Sequence, residues 1–173
     1  MSSAFKDKLR KIRDASAKRS EIHLRLRSDE DLERSQRTVQ AFEFRESVEA
    51  VIEDFVKNFQ TEAPGFVLTR GFFEGKYMLA LRLDEELLDG EGILGRYFSR
   101  VIFLLDPHLD EDFFAMQVKK TIRNRDLETT SQTGEMNDTG KEEFASFIEA
   151  QFIDFAEKYF GEHPLSKPAP IST

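Results

Sequence analysis

The stretch Tyr97-Phe98-Ser99-Arg100-Val101-Ile102-Phe103-Leu104-Leu105 decides the fold. Its second half is apolar without interruption, which suits a strand with both faces out of water. Such a strand takes a central place in a sheet, so it needs a neighbour on each side and a covering layer on each face. Three further strand-like runs surround it, Phe66 to Phe72, Tyr77 to Leu83 and Phe113 to about Leu127. Phe73-Glu74-Gly75-Lys76, a short connection bearing glycine, joins the first two as a hairpin. Sequential pairing of all four gives an antiparallel meander. Tyr77, Leu79, Leu81 and Leu83 define one face of the second strand, and Phe114, Met116, Val118 and Ile122 one face of the fourth.

Helices bracket these strands. Val48, Val51, Ile52, Phe55, Val56 and Phe59 recur at helical spacing, and Ala63-Pro64-Gly65 ends that helix. Ser28-Asp29-Glu30-Asp31 reads as its start, with Ser28 as cap and acids at the positive end of the dipole. Ser3 to about Arg19 forms an earlier helix with a narrow stripe of Phe5, Leu9 and Ile12. Between the two, Glu21 to Arg27 alternates apolar and polar residues, which predicts a short strand or an extended linker. After a polar loop from Thr129 to Asn137, Thr139-Gly140-Lys141-Glu142 makes a capping box. The final helix it opens carries Phe144, Phe147, Ile148, Phe152, Phe155 and Tyr159 on one side.

The expected fold is therefore α+β. A roughly four-stranded antiparallel meander packs against a long N-terminal helix pair and a C-terminal amphipathic helix. Residues 1–27 form a basic arm, residues 28–160 a single domain and residues 161–173, with three of the chain's five prolines, a flexible tail.

Composition narrows the function. Zero cysteines among 173 residues exclude disulfides, thiolate metal sites and thiol nucleophiles. No apolar run reaches the roughly 18 residues that span a bilayer, and no signal-peptide segment follows the charged start, so a cytoplasmic location is expected. Residues 1–27 hold nine Lys or Arg against three acids, a net +6, which leaves −14 on the remainder of a chain whose net charge is −8. An anionic partner should thus meet the arm rather than the acidic body.

No catalytic constellation emerges, so enzyme activity is disfavoured and no cofactor or metal is expected. Gly90-Glu91-Gly92-Ile93-Leu94-Gly95 matches a dinucleotide-binding pattern, but it links two strands among acids that would repel phosphate. Asp106, His108 and Asp110 could ligate a divalent ion, although a strand-to-strand loop needs no such role. The sequon Asn137-Asp138-Thr139 reads as helix-capping chemistry. His23 and His163 lie in the arm and the tail, and Ser99 has none of the glycines of a nucleophile elbow.

More interesting is a basic stripe of Lys119, Arg123 and Arg125, which share a parity opposite the apolar face of the fourth strand. With Lys8 and Lys11 of the arm, these are the candidate partner-binding residues.

The order of long helix, antiparallel strands and closing amphipathic helix in a small acidic chain loosely resembles the secretion chaperones of the type III class. The resemblance is of topology and composition, and the uninterrupted run of four strands departs from the helix those chaperones place mid-sheet. It would imply a dimer that holds segments of a partner protein. The leading expectation is a non-enzymatic protein-interaction module, adaptor or chaperone-like and dimeric. Two alternatives stand beside it. One is a small-molecule-binding protein or enzyme with an apolar pocket between the sheet and the C-terminal helix. The other is nucleic-acid binding through the basic arm, which the acidic body disfavours.

Overall fold

Glycine and proline are absent from the first 62 residues, and nothing else in that stretch stops a helix. In the computed structural model, which describes residues 3–161, α1 runs unbroken over Ser3–Glu62. The helix pair expected on either side of residues 21–27 is therefore one helix. Glu21 to Arg27 alternates like a strand, but it has no sheet to pair with. The residues are mostly good helix formers, and the alternation turns into an exposed helical surface with a Glu21–Arg25 ion pair at 2.8 Å.

The chain divides into two compact units between Gln40 and Ala41. In the first, every residue from Ala4 to Gln40 is exposed. In the second, α1 continues as a core helix, burying Ala41, Phe44, Val48, Ile52, Val56 and Phe59. The sheet follows as β1 (Val67–Phe73), β2 (Lys76–Leu88), β3 (Leu94–His108), β4 (Phe113–Ile122), β5 (Arg125–Asp126) and β6 (Thr130–Glu135), before α2 (Asp138–Phe160) closes the core. The expected tail, apart from Gly161, lies outside the described residues, as does His163.

The α+β class and the antiparallel meander are present, with two strands more than the four expected. The order is β1-β2-β3-β4-β5, with β6 also pairing β4. The long fourth run breaks at Arg123 and Asn124, whose φ values of 44° and 67° make a tight two-residue turn between Ile122 and Arg125. Asn124 suits this left-handed conformation and fastens the turn by accepting from the Phe98 N–H at 2.9 Å. The polar segment read as a loop is instead β6, a half-buried edge strand whose Thr130 pairs with Val118 and Gln132 with Met116. Its alternation lies in burial, since Thr, Ser, Gln and Glu give it no hydropathy signal.

Register places Leu79 opposite Phe103, and Phe103 opposite Val118. These residues look toward α1 and α2. Aromatic rings fill the space between them: Phe103 stacks on Phe152 at 5.3 Å, and Phe59 meets Phe66 edge-on at 5.1 Å. The capping residue of α2 is Asn137, whose Oδ1 accepts the Gly140 N–H at 2.8 Å. The cap thus lies two residues before the expected Thr139, within the sequon that already read as capping chemistry.

Candidate functional site

A meander has to begin with an edge. β1 pairs with β2 on one side, and no described strand pairs with its other side. Glu74 and Gly75, with φ of 53° and 76°, form a two-residue turn that pairs Phe73 with Lys76. Counting back through the antiparallel ladder, Val67, Thr69, Gly71 and Phe73 spend their backbone groups on β2. Leu68, Arg70 and Phe72 point theirs outward.

Edge strands are ordinarily blunted by charge, proline or a bulge. The lone charge on β1 is Arg70, and its guanidinium is turned to α1, bonding Glu49 at 3.0 Å and Glu53 as well. Hydrogen bonds to Glu53 and Glu49 also raise the Arg70 pKa. Tyr77 joins by donating to Glu49 at 2.9 Å. The strand therefore shows solvent an apolar rim, with Val67 60% and Phe72 74% exposed.

The rim continues onto the outer face of the sheet. Ala80, Ile102 and Leu104 are buried there with Met78 packed beside them, although both helical segments of this unit lie on the other face. Long side chains do the covering that the doubly apolar β3 requires. Lys119 lies over the Phe73 ring at 5.1 Å, while Arg82 and Arg100 lie over Phe98 at 4.5 and 5.1 Å. Next to β1 they leave a half-open depression of about 430 Å³ lined by Met78, Ala80 and Ile102, with Arg82, Asp84 and Arg100 at its margin.

The basic residues singled out on the fourth strand do not form one stripe. Lys119 is half-buried on the outer face, with Glu74 3.9 Å away. Arg125 is exposed on β5. Arg123, carried inward by the turn, is 7% exposed. Its backbone N–H donates to the buried Ser99 hydroxyl at 3.0 Å, and its guanidinium donates to the Tyr159 carbonyl at 3.2 Å. Arg123 Nε and a Glu85 oxygen, neither with a hydrogen bond of its own, face each other at 3.7 Å. Tyr159 donates its hydroxyl to Glu85 at 2.8 Å. Burial, and then that bond, push the Tyr159 pKa above the ordinary phenol range. Arg123 thus ties the end of β4 to α2. Lys8 and Lys11 stand exposed on α1, in the other unit.

The loops suspected of chemistry are satisfied internally. In Gly90 to Gly95, the Asp89 carboxylate accepts the N–H groups of Glu91 and Ile93, both at 2.8 Å. A phosphate would have to displace that carboxylate. His108 stacks on Phe113 at 4.3 Å and lies 3.3 Å from Asp106. Among the described residues, no group of three His, Cys, Asp or Glu is placed to hold a metal, and no helix is long and apolar enough to cross a membrane.

No protein-family model, curated protein or solved structure matches this chain.

Sequence reasoning missed the β1 edge, though its signal was there. The first strand of a meander is an edge by topology, and Val67, Phe72 and Phe73 beside a single charge mark it as an unusually apolar one.

Proposed function

We propose that the chain is a non-enzymatic, cytoplasmic protein-interaction module that assembles by strand addition at β1, in the first instance with β1 of a second copy. What supports the reading is the open apolar edge of β1, whose single charge is held by Glu49 and Glu53. Antiparallel pairing about Arg70 would set Phe72 of one copy beside Leu68 of the other, and continue the sheet across the pair.

Light scattering on an eluting column, over roughly 1 to 200 μM protein, tests this. The 20.1 kDa chain is expected to move toward twice that mass with rising concentration. Phe72→Lys, which puts a charge on the edge at an exposed position, is expected to hold it at the monomer mass. A wild-type chain that is monomeric throughout, or a dimer indifferent to Phe72→Lys, would remove the reading.

A second reading keeps the small-molecule hypothesis but moves its site. The space between the sheet and α2 is taken up by Phe103, Phe152 and Phe155, whereas the depression on the outer face is of small-ligand size and combines apolar walls with Arg82, Asp84 and Arg100. The two readings part on one property, since ligand binding there would leave the mass of the Phe72→Lys variant unchanged.

A further inference from the structure

The β1 edge makes no use of residues 3–40, and their surface carries a pattern of its own. At about 100° per residue, Phe5, Leu9, Ile12 and Ser16 fall within an arc of about 60° on α1. Lys8 and Arg19 flank this arc on one side, Arg13 and Lys6 on the other. Asp7 and Asp14 take the opposite pole, where Asp14 lies 3.7 Å from Arg13. Phe5 and Leu9 are about half exposed and Ile12 63% exposed. Residues 3–19 hold seven Lys or Arg against these two acids, a net +5.

We infer that this face docks on an anionic lipid bilayer, lying in its plane with Phe5, Leu9 and Ile12 inserted at the headgroup boundary. Lys6, Lys8, Arg13 and Arg19 have stems long enough to follow the apolar residues down while their charges stay among lipid phosphates. The two acids then face water.

A nucleic acid would satisfy the cations but leave the Phe5–Leu9–Ile12 row against phosphates, where it gains nothing. A second copy of the same segment brings another +5 and is repelled. Glu21, two residues past Arg19, is paired with Arg25 at 2.8 Å, and the acidic run Asp29, Glu30, Asp31 and Glu33 begins only ten residues past Arg19. That is about 15 Å of helix, beyond the Debye length of about 8 Å at physiological salt. Three apolar side chains make a weak anchor by themselves, so the anionic charge of the bilayer has to contribute a large part of the attraction.

The chain has no tryptophan, so Phe5→Trp installs a single reporter at an exposed position. The full chain is titrated with phosphatidylcholine vesicles, with and without about 30% phosphatidylserine, at about 0.15 M salt. Phosphatidylserine vesicles are expected to shift the emission to the blue and to bind at least about tenfold more tightly than neutral ones. Leu9→Ser with Ile12→Ser, which keeps every charge, and Lys8→Glu with Arg13→Glu are each expected to lose about tenfold, while circular dichroism confirms an unchanged fold.

No blue shift with anionic vesicles would overturn the inference. Binding that survives Leu9→Ser with Ile12→Ser would do the same, since it would be a charge-only attraction. A polyuridylate probe that binds as tightly as the vesicles and ignores those serines would assign the face to nucleic acid instead. None of these outcomes touches the β1 edge, which is tested by mass.

Discussion

Replacing Phe155 with alanine is expected to remove about 4 kcal/mol of stability, which is most of what a domain of this size holds in reserve. The ring is fully buried, with Phe59 at 5.7 Å, Phe66 at 5.8 Å and Tyr159 at 6.2 Å between centroids. Those partners come from α1, from the residue just ahead of β1 and from α2 itself, so no single element can relax to fill the hole. Phe155→Leu keeps much of the volume and should cost about 1 to 2 kcal/mol. Urea unfolding followed by circular dichroism reads both values. A loss under about 1 kcal/mol for the alanine variant would mean that α2 does not seal this core.

Asp154→Ala is expected to cost about 3 kcal/mol, because it strands a buried cation. Lys120 is 4% exposed and bonds Asp154 directly, with Gln151 Oε1 accepting at 2.9 Å. Thr130 donates to the same Gln151 oxygen at 2.7 Å and fixes its orientation. The cost sits at the low end for a buried pair because water reaches part of the Asp154 side chain. Lys120→Met removes the cation along with its requirement and should change stability by no more than about 1 kcal/mol.

Acid sensitivity follows from the same carboxyl group. Burial pushes the Asp154 pKa up, but hydrogen bonds from Lys120 and Lys158 outweigh it and hold the pKa below its ordinary value. The stabilisation is complete above the unfolded carboxyl pKa of about 3.9 and fades as pH falls through that value toward the lower folded one. Melting temperatures between pH 5 and pH 2 should therefore fall more steeply for wild type than for Asp154→Ala. Parallel curves would show that Lys120 does not depend on Asp154.

Where periodicity was carried by apolar residues, the fold was legible. Phe144, Ile148, Phe152 and Phe155 marked α2, and Tyr77 to Leu83 gave the face of β2 correctly. β6 was not legible, because a strand made of Thr, Ser and Gln differs from a loop only in what its neighbours bury. Residues 21–27 misled for the opposite reason: their alternation is real, yet without a sheet to receive it the absence of glycine and proline decides. Parity on β4 held as far as Ile122 and placed Lys120 among Phe114, Met116 and Val118, which its burial reflects. One residue later the turn at Arg123 and Asn124 ended the parity, and the expected basic stripe ended with it.

The order in which the parts are synthesised gives the ring packing a temporal side. β2, β3 and β4 each pair with the strand before them, so their loops are short and cheap to close, which favours rapid formation. The core face of that sheet, however, waits for α2. Phe152 and Phe155 reach back to Phe55, Phe59 and Phe66, nearly a hundred residues earlier for Phe55 and Phe59. Until the last helix leaves the ribosome, the apolar side of the nascent sheet has only one of its two helices, and that interval is when the chain is most open to misassembly or to a chaperone.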